Sequence, residues 1–183
     1  MKKSILIVLT LLAALPALPA RAEAGPLTLL ISGSRENNSF SIALSPDGRE
    51  YLITSTLELE AGGDICSHPE EIPTELACKA TAIAGFEVNT AGGNDFVSFS
   101  SDILIPVTIR GGSGRDRLSG GGASDKIVGG PDDDVLTGRR GDDWILGGPG
   151  KDRLLGGQGN DQLRGGAGVD DLVGGPGHDF LLQ

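Results

Sequence analysis

Eight aspartates stand nine residues apart toward the C-terminal end of this chain: Asp116, Asp125, Asp134, Asp143, Asp152, Asp161, Asp170 and Asp179. Repeated carboxylates in fixed register suit a hard cation that prefers an all-oxygen shell. Their surroundings recur with them. From Gly111 the sequence divides every nine residues without a gap through Leu182, from Gly111-Gly112-Ser113-Gly114-Arg115-Asp116-Arg117-Leu118-Ser119 to Gly174-Gly175-Pro176-Gly177-His178-Asp179-Phe180-Leu181-Leu182. Position one is Gly and position six Asp in every unit, and position eight is aliphatic: Leu118, Ile127, Leu136, Ile145, Leu154, Leu163, Leu172 and Leu181. All twelve acidic residues of the array are Asp, whereas nine Glu lie upstream. A short carboxylate is what a turn-borne ligand of fixed reach requires.

The elements that must hold these aspartates follow from the unit itself. Glycines at positions one, two and four permit φ > 0 and tight curvature, which predicts a turn over the first six residues. Positions seven to nine then form a short strand whose eighth residue faces inward. Two units make a coil of eighteen residues with a strand on each side, and coils stack at ~4.8 Å through backbone hydrogen bonds. The expected product is a solenoid with a narrow aliphatic core. Its aspartates fall on two ladders, Asp116, Asp134, Asp152 and Asp170 on one edge, Asp125, Asp143, Asp161 and Asp179 on the other. Like charges at the coil spacing repel by ~1 kcal/mol in water and ~3.5 kcal/mol at an effective dielectric of 20. A divalent cation between coils reverses that sign. Calcium suits the expected carboxylate and carbonyl oxygens better than magnesium, which demands a smaller octahedral cage. Four aspartates per ladder leave three gaps, so two ladders allow up to about six intercoil calcium sites.

The units resemble the RTX, or haemolysin-type, calcium-binding repeat G-G-x-G-x-D-x-U-x over residues 111–182. The resemblance implies an all-β, right-handed parallel β-roll in which turn carbonyls and sixth-position aspartates of adjacent coils bind calcium. Departures put some sites in doubt: Ala123 and Asp132 replace the fourth-position Gly, and Arg139 replaces a second-position Gly. Asp132, Asp133 and Asp142 are either extra oxygen ligands or solvated turn residues. His178, at a variable fifth position, reads as a surface turn residue.

Three further features bound the chain. Lys2 and Lys3, the apolar run Ile5 to Ala14 and the small residues from Ala17 to Ala24 read as a Sec signal peptide over residues 1–22. Cleavage after Ala22 would start the mature chain at Glu23, with Ala24 offering a second register, and no later stretch could span a membrane. The formal charge is −10, and removing Lys2, Lys3 and Arg21 leaves −13, which argues against a nucleic-acid surface. The expected destination is secreted, with periplasm or cell surface as alternatives. Cys66 and Cys78 in an exported chain predict a disulfide, with two buried thiols as the alternative.

Residues 23–110 read as an irregular β-rich N-terminal cap, with strands expected at Leu27 to Ile31, Ser39 to Leu44, Glu50 to Thr56, Ile83 to Asn89 and Ile103 to Ile109. Within it, residues 90–98 form a degenerate unit with Asp95 in the ligand position and Val97 in the core position. A separate small β-domain is the alternative. No H-E-x-x-H or G-x-S-x-G motif occurs and there are two histidines, so the expectation is a non-catalytic protein whose folding is coupled to calcium. The competing reading is a calcium-stabilised adhesive or structural module. Val128, Trp144, Leu146, Phe180 and Leu182 are expected on one outer face, where they could meet a protein partner or a second copy.

Overall fold

The computed structural model describes residues 4–10, 27–55, 58–60, 66–67 and 75–183. The cleavage position Ala22, the mature start Glu23 and His68 lie outside the described residues. Within them the chain forms strands β1 (Ser4–Thr10), β2 (Leu27–Ser32), β3 (Ser39–Leu44), β4 (Glu50–Ser55), β5 (Glu58–Glu60), β6 (Cys66–Ser67), β7 (Glu75–Lys79), β8 (Ile83–Asn89) and β9 (Phe96–Phe99). They continue with β10 (Val107–Arg110), β11 (Arg117–Ser119), β12 (Lys126–Val128), β13 (Val135–Arg140), β14 (Trp144–Gly150), β15 (Arg153–Gln158), β16 (Gln162–Gly168), β17 (Asp171–Val173) and β18 (Phe180–Leu182). The fold is all-β. Among the described residues no helix is long and apolar enough to cross a membrane.

Alternate strands sort into two nine-stranded sheets, ordered β18-β16-β14-β12-β10-β8-β2-β1-β5 and β17-β15-β13-β11-β9-β3-β4-β7-β6. From β2 to β18 on one sheet, and from β3 to β17 on the other, every neighbour is parallel, as a β-solenoid requires. Eighth-position residues stack in one column per sheet: Ile109, Ile127, Ile145, Leu163 and Leu181 on the first, Leu118, Leu136, Leu154 and Leu172 on the second. Upstream residues extend both columns without the glycine motif, through Val88 and Ile31 on the first and Val97 and Phe40 on the second. Val97, in the degenerate unit, is fully buried beside Leu118.

At the far end the strand direction reverses. Strand β4 runs antiparallel to β3, β7 to β4 and β6 to β7, while β1 runs antiparallel to β2. The β6–β7 pairing sets Cys66 opposite Cys78. Here the core broadens from paired aliphatics to rings, with Phe86 stacked edge-on against both Tyr51 and Phe99, centroids 5.0 and 5.2 Å apart.

Three expectations need correction. Strands expected over positions seven to nine alone run on through position three or four of the next unit in β13 to β16, because the stacked turns also pair in parallel, as Gly148 with Gly166. The strand expected from Ile103 to Ile109 begins at Val107. Pro106 has no N–H to give a ladder, and Ile103 instead sits fully buried in the preceding loop. First-position glycines, expected to supply positive φ, do not: that geometry falls on positions two and four, as at Gly112 and Gly114. Position one is glycine for space. A Cβ on Gly111 would collide with Asp116 Oδ2, and the same collision recurs at Gly129 with Asp134 and at Gly147 with Asp152.

Candidate metal centre

The turns carry the sixth-position aspartates inward, and all but Asp179 are buried. On each edge they are joined by a hydrogen-bond ladder. The N–H of Asp95 donates to Asp116 Oδ1 at 2.8 Å, Asp116 to Asp134 at 2.8 Å, Asp134 to Asp152 at 2.9 Å and Asp152 to Asp170 at 3.0 Å. On the other edge Val107 donates to Asp125 at 3.0 Å, Asp125 to Asp143 at 2.8 Å, Asp143 to Asp161 at 2.9 Å and Asp161 to Asp179 at 2.9 Å. One carboxylate oxygen of each aspartate is thereby satisfied by the preceding coil.

The second oxygen is the chemically open one. Oδ2 of Asp95, Asp116, Asp134, Asp143, Asp152, Asp161 and Asp170 is buried without a hydrogen-bond partner. Leaving such an atom unpaired costs about 1–3 kcal/mol, more when it is charged. The electrostatics agree. Burial, reinforced by the neighbouring aspartates and opposed by the ladder N–H groups, pushes Asp134 and Asp143 up to about 8. Burial raises Asp116 and Asp125 to about 6, and Asp152 and Asp161 also rise. No set of three or more Asp, Glu, His or Cys side chains converges as a metal cluster among the described residues. A cation at Oδ2 must therefore complete its shell from main-chain carbonyls. A Cβ on Gly111 would lie near both Asp116 Oδ2 and Gly129 O, so a carbonyl of the next coil stands beside the open oxygen.

The family comparison completes this geometry. The family model for the RTX calcium-binding nonapeptide repeat matches in four copies, over residues 108–136, 119–154, 128–163 and 146–181. These are RTX calcium-binding repeats. No curated protein and no solved structure matches the chain.

The RTX array is not uniform. Asp125 differs from its peers because its Oδ2 accepts the Gly121 N–H at 2.6 Å. Asp132 and Arg139 hold φ of 83° and 88°, the left-handed region their units normally give to glycine. The Asp132 carboxylate accepts the Gly114 N–H at 3.1 Å from an exposed position, and Asp133 accepts Lys151 N–H at 3.0 Å. His178 is exposed, its N–H bound to Asn160 Oδ1 at 3.0 Å.

Sequence reading missed a second ladder, at position five. Asn94 N–H donates to Asn37 Oδ1 at 2.7 Å and Arg115 N–H to Asn94 Oδ1 at 2.8 Å; opposite, Asp142 N–H donates to Ser124 Oγ at 3.1 Å and Asn160 N–H to Asp142 Oδ1 at 2.7 Å. These bonds run from each coil to the one before it, opposite to the aspartate ladder. The available signal was the short polar residues that recur at position five, Asn37, Asn94, Ser124, Asp133, Asp142 and Asn160, interrupted by Arg115, Lys151 and Val169. Also missed was a further degenerate unit, residues 33–41, with Gly33 at position one, Asn38 at six and Phe40 at eight. Asn38 is buried, and its N–H donates to Asp95 Oδ1 at 2.6 Å, so it begins the first ladder.

The outer face of the first sheet is mixed. In the position-seven column Gln162 separates Trp144 from Phe180, and in the position-nine column Arg164 separates Leu146 from Leu182. Lys126 Nζ lies 4.8 Å from the Trp144 ring centre. Phe180 and Leu182 are exposed.

Proposed function

We propose that this is an exported, non-catalytic protein in which calcium held between coils closes the RTX array, so that folding is coupled to the ion. The observation that carries the reading is the set of buried, partnerless Oδ2 atoms. Each is a desolvated carboxyl oxygen, for Asp116, Asp134, Asp143, Asp152 and Asp161 beside a main-chain carbonyl of the next coil, and a hard divalent cation is the group that satisfies such a shell. The ligands assigned are Asp116, Asp125, Asp134, Asp143, Asp152, Asp161, Asp170 and Asp179, with Asp95 as a further candidate, in up to about six gaps. Calcium supplies positive charge and coordination, and nothing in the site calls for a reaction. The surface position of Asp132 favours a turn role for its carboxylate.

Export rests on reading residues 1–22 as a signal peptide, whose removal would take β1 from beside β2. Oxidation of Cys66 and Cys78, brought opposite by β6 and β7, would close a short loop worth roughly 3 kcal/mol in the chain-entropy model. Alkylation and mass measurement before and after reduction tests it.

The decisive experiment is a circular-dichroism titration of the mature chain with calcium, with magnesium as control. β-Structure and thermal stability are expected to rise with calcium, with a midpoint of order 10⁻⁴ to 10⁻³ M by analogy with extracellular calcium modules. Equal β-content and melting in excess chelator and in millimolar calcium would overturn the proposal.

A further inference from the structure

At the N-terminal end of the array one side-chain nitrogen stands where the open aspartate oxygens stand elsewhere, and on the opposite edge an arginine ties the first coils together. Asn38 fills position six of its unit, and its Nδ2 lies against Gly33, as Oδ2 of Asp116 lies against Gly111. That nitrogen is ringed by oxygens: Glu36 O at 2.5 Å, Asp95 Oδ1 at 2.9 Å, Ser34 O at 3.1 Å and Thr90 O at 3.3 Å. Three are carbonyls of positions two and four of its own turn and position one of the next coil, and the fourth is the next coil's aspartate. An amide has two N–H donors, so it meets this oxygen set with partial positive charge rather than a whole ion.

The opposite edge uses Arg139. Its side chain leaves the 138–143 turn and crosses the glycines of the 120–125 turn. There it donates to Phe99 O and, at 3.2 Å, to Ser98 Oγ in the coil beyond. In the intervening turn the second oxygen of Asp125 is satisfied by Gly121 rather than left open. Arg139 holds φ of 88°, a left-handed angle that strains any residue bearing a Cβ. The strained turn is the one whose side chain reaches back to bond Phe99 and Ser98.

We infer that Asn38 and Arg139 are tethered stand-ins for a metal ion, closing the first intercoil gap on each edge so that the N-terminal coils hold together without calcium. The inference rests on the calcium reading above. It withdraws the Asp125–Asp143 gap from the six and confines ion-dependent closure to the coils beyond. The array then has a permanently formed end against which further coils settle as calcium binds.

Equilibrium dialysis of the mature chain against radioactive calcium tests this by counting ions. Asn38→Asp restores a carboxylate among the four oxygens, and Arg139→Gly restores the repeat's glycine at a backbone angle that favours it. Each is expected to bind one more ion per chain than the wild type, and to melt at lower temperature in chelator while calcium restores it. A variant that binds the wild-type number overturns the assignment on its edge. Should Asn38→Asp fail to fold, Asn38→Ser decides that edge: an unchanged melting temperature in chelator overturns it, and a lowered one supports it. A wild-type chain that binds no calcium defeats the functional reading instead, so the two failures are told apart.

Discussion

Asp125 and Asp152 hold the same place in their units and differ in what meets their second oxygen. Asp152 Oδ2 has no partner, whereas Asp125 Oδ2 takes the Gly121 N–H. Asp152→Ala removes that oxygen and also orphans the Asp134 N–H, which alone costs about 1–3 kcal/mol. Asp125→Ala orphans two N–H groups, of Val107 and Gly121, but removes no open oxygen, so Asp152→Ala is expected to weaken calcium binding more than Asp125→Ala does; equal effects in a calcium titration would contradict the difference. Proton linkage gives a second test. Asp134 and Asp143 sit near 3.8 when unfolded and at about 8 in the metal-free fold. A raised carboxyl contributes stability that is complete below pH ~4 and lost as pH rises through ~8. In chelator the melting temperature is therefore expected to fall between pH 5 and 8. Calcium needs the ionised form, so its binding should release protons and tighten over the same range. A chelator melting temperature that is flat or rising with pH would count against the burial of these groups. The sixth-position aspartates were legible from their spacing alone. The division of labour between their two oxygens was not, because it depends on which N–H the stacked coil presents. Asn38 was hidden because its unit lacks the paired glycines.

At the scale of strands, three residues per side leave one inward aliphatic each, so the array's core is a pair of single columns. Ile145 is fully buried in its column, while Leu181 at the last strand is 44% exposed. Ile145→Ala is expected to cost 2–5 kcal/mol by denaturant unfolding in calcium, and Leu181→Ala well under half of that. The nine-residue period gave the first residue of each of these strands at position seven, but not the last: β13 to β16 run on three or four residues into the next unit, where stacked glycine turns keep pairing. Upstream the period fails, and there alternation alone misled: Ile103, Ile105, Val107 and Ile109 read as one strand, yet Pro106 interrupts it. The Pro106 carbonyl accepts the Phe86 N–H at 3.2 Å, and Ile103 turns under Gly121. Strand β7 escaped notice because Leu76, Ala77 and Cys78 are all buried and show no alternation.

Taken whole, the molecule is a graded rod, with rings and reversed strands at one end and a thin glycine-walled stack along the rest. Its edges carry side-chain ladders of opposite sense, aspartates reaching one way along both and position-five residues the other, continuously from Ser124 to His178 and in broken steps on the opposite edge. Neighbouring turns are thus fastened against sliding in either direction, so a coil cannot shift by a residue and must let go entire. Stretched between two beads in calcium, the rod is expected to lengthen in equal increments of about 6 nm, eighteen residues at up to ~3.4 Å each, rather than by smooth creep. Tension along its axis would be borne one link at a time.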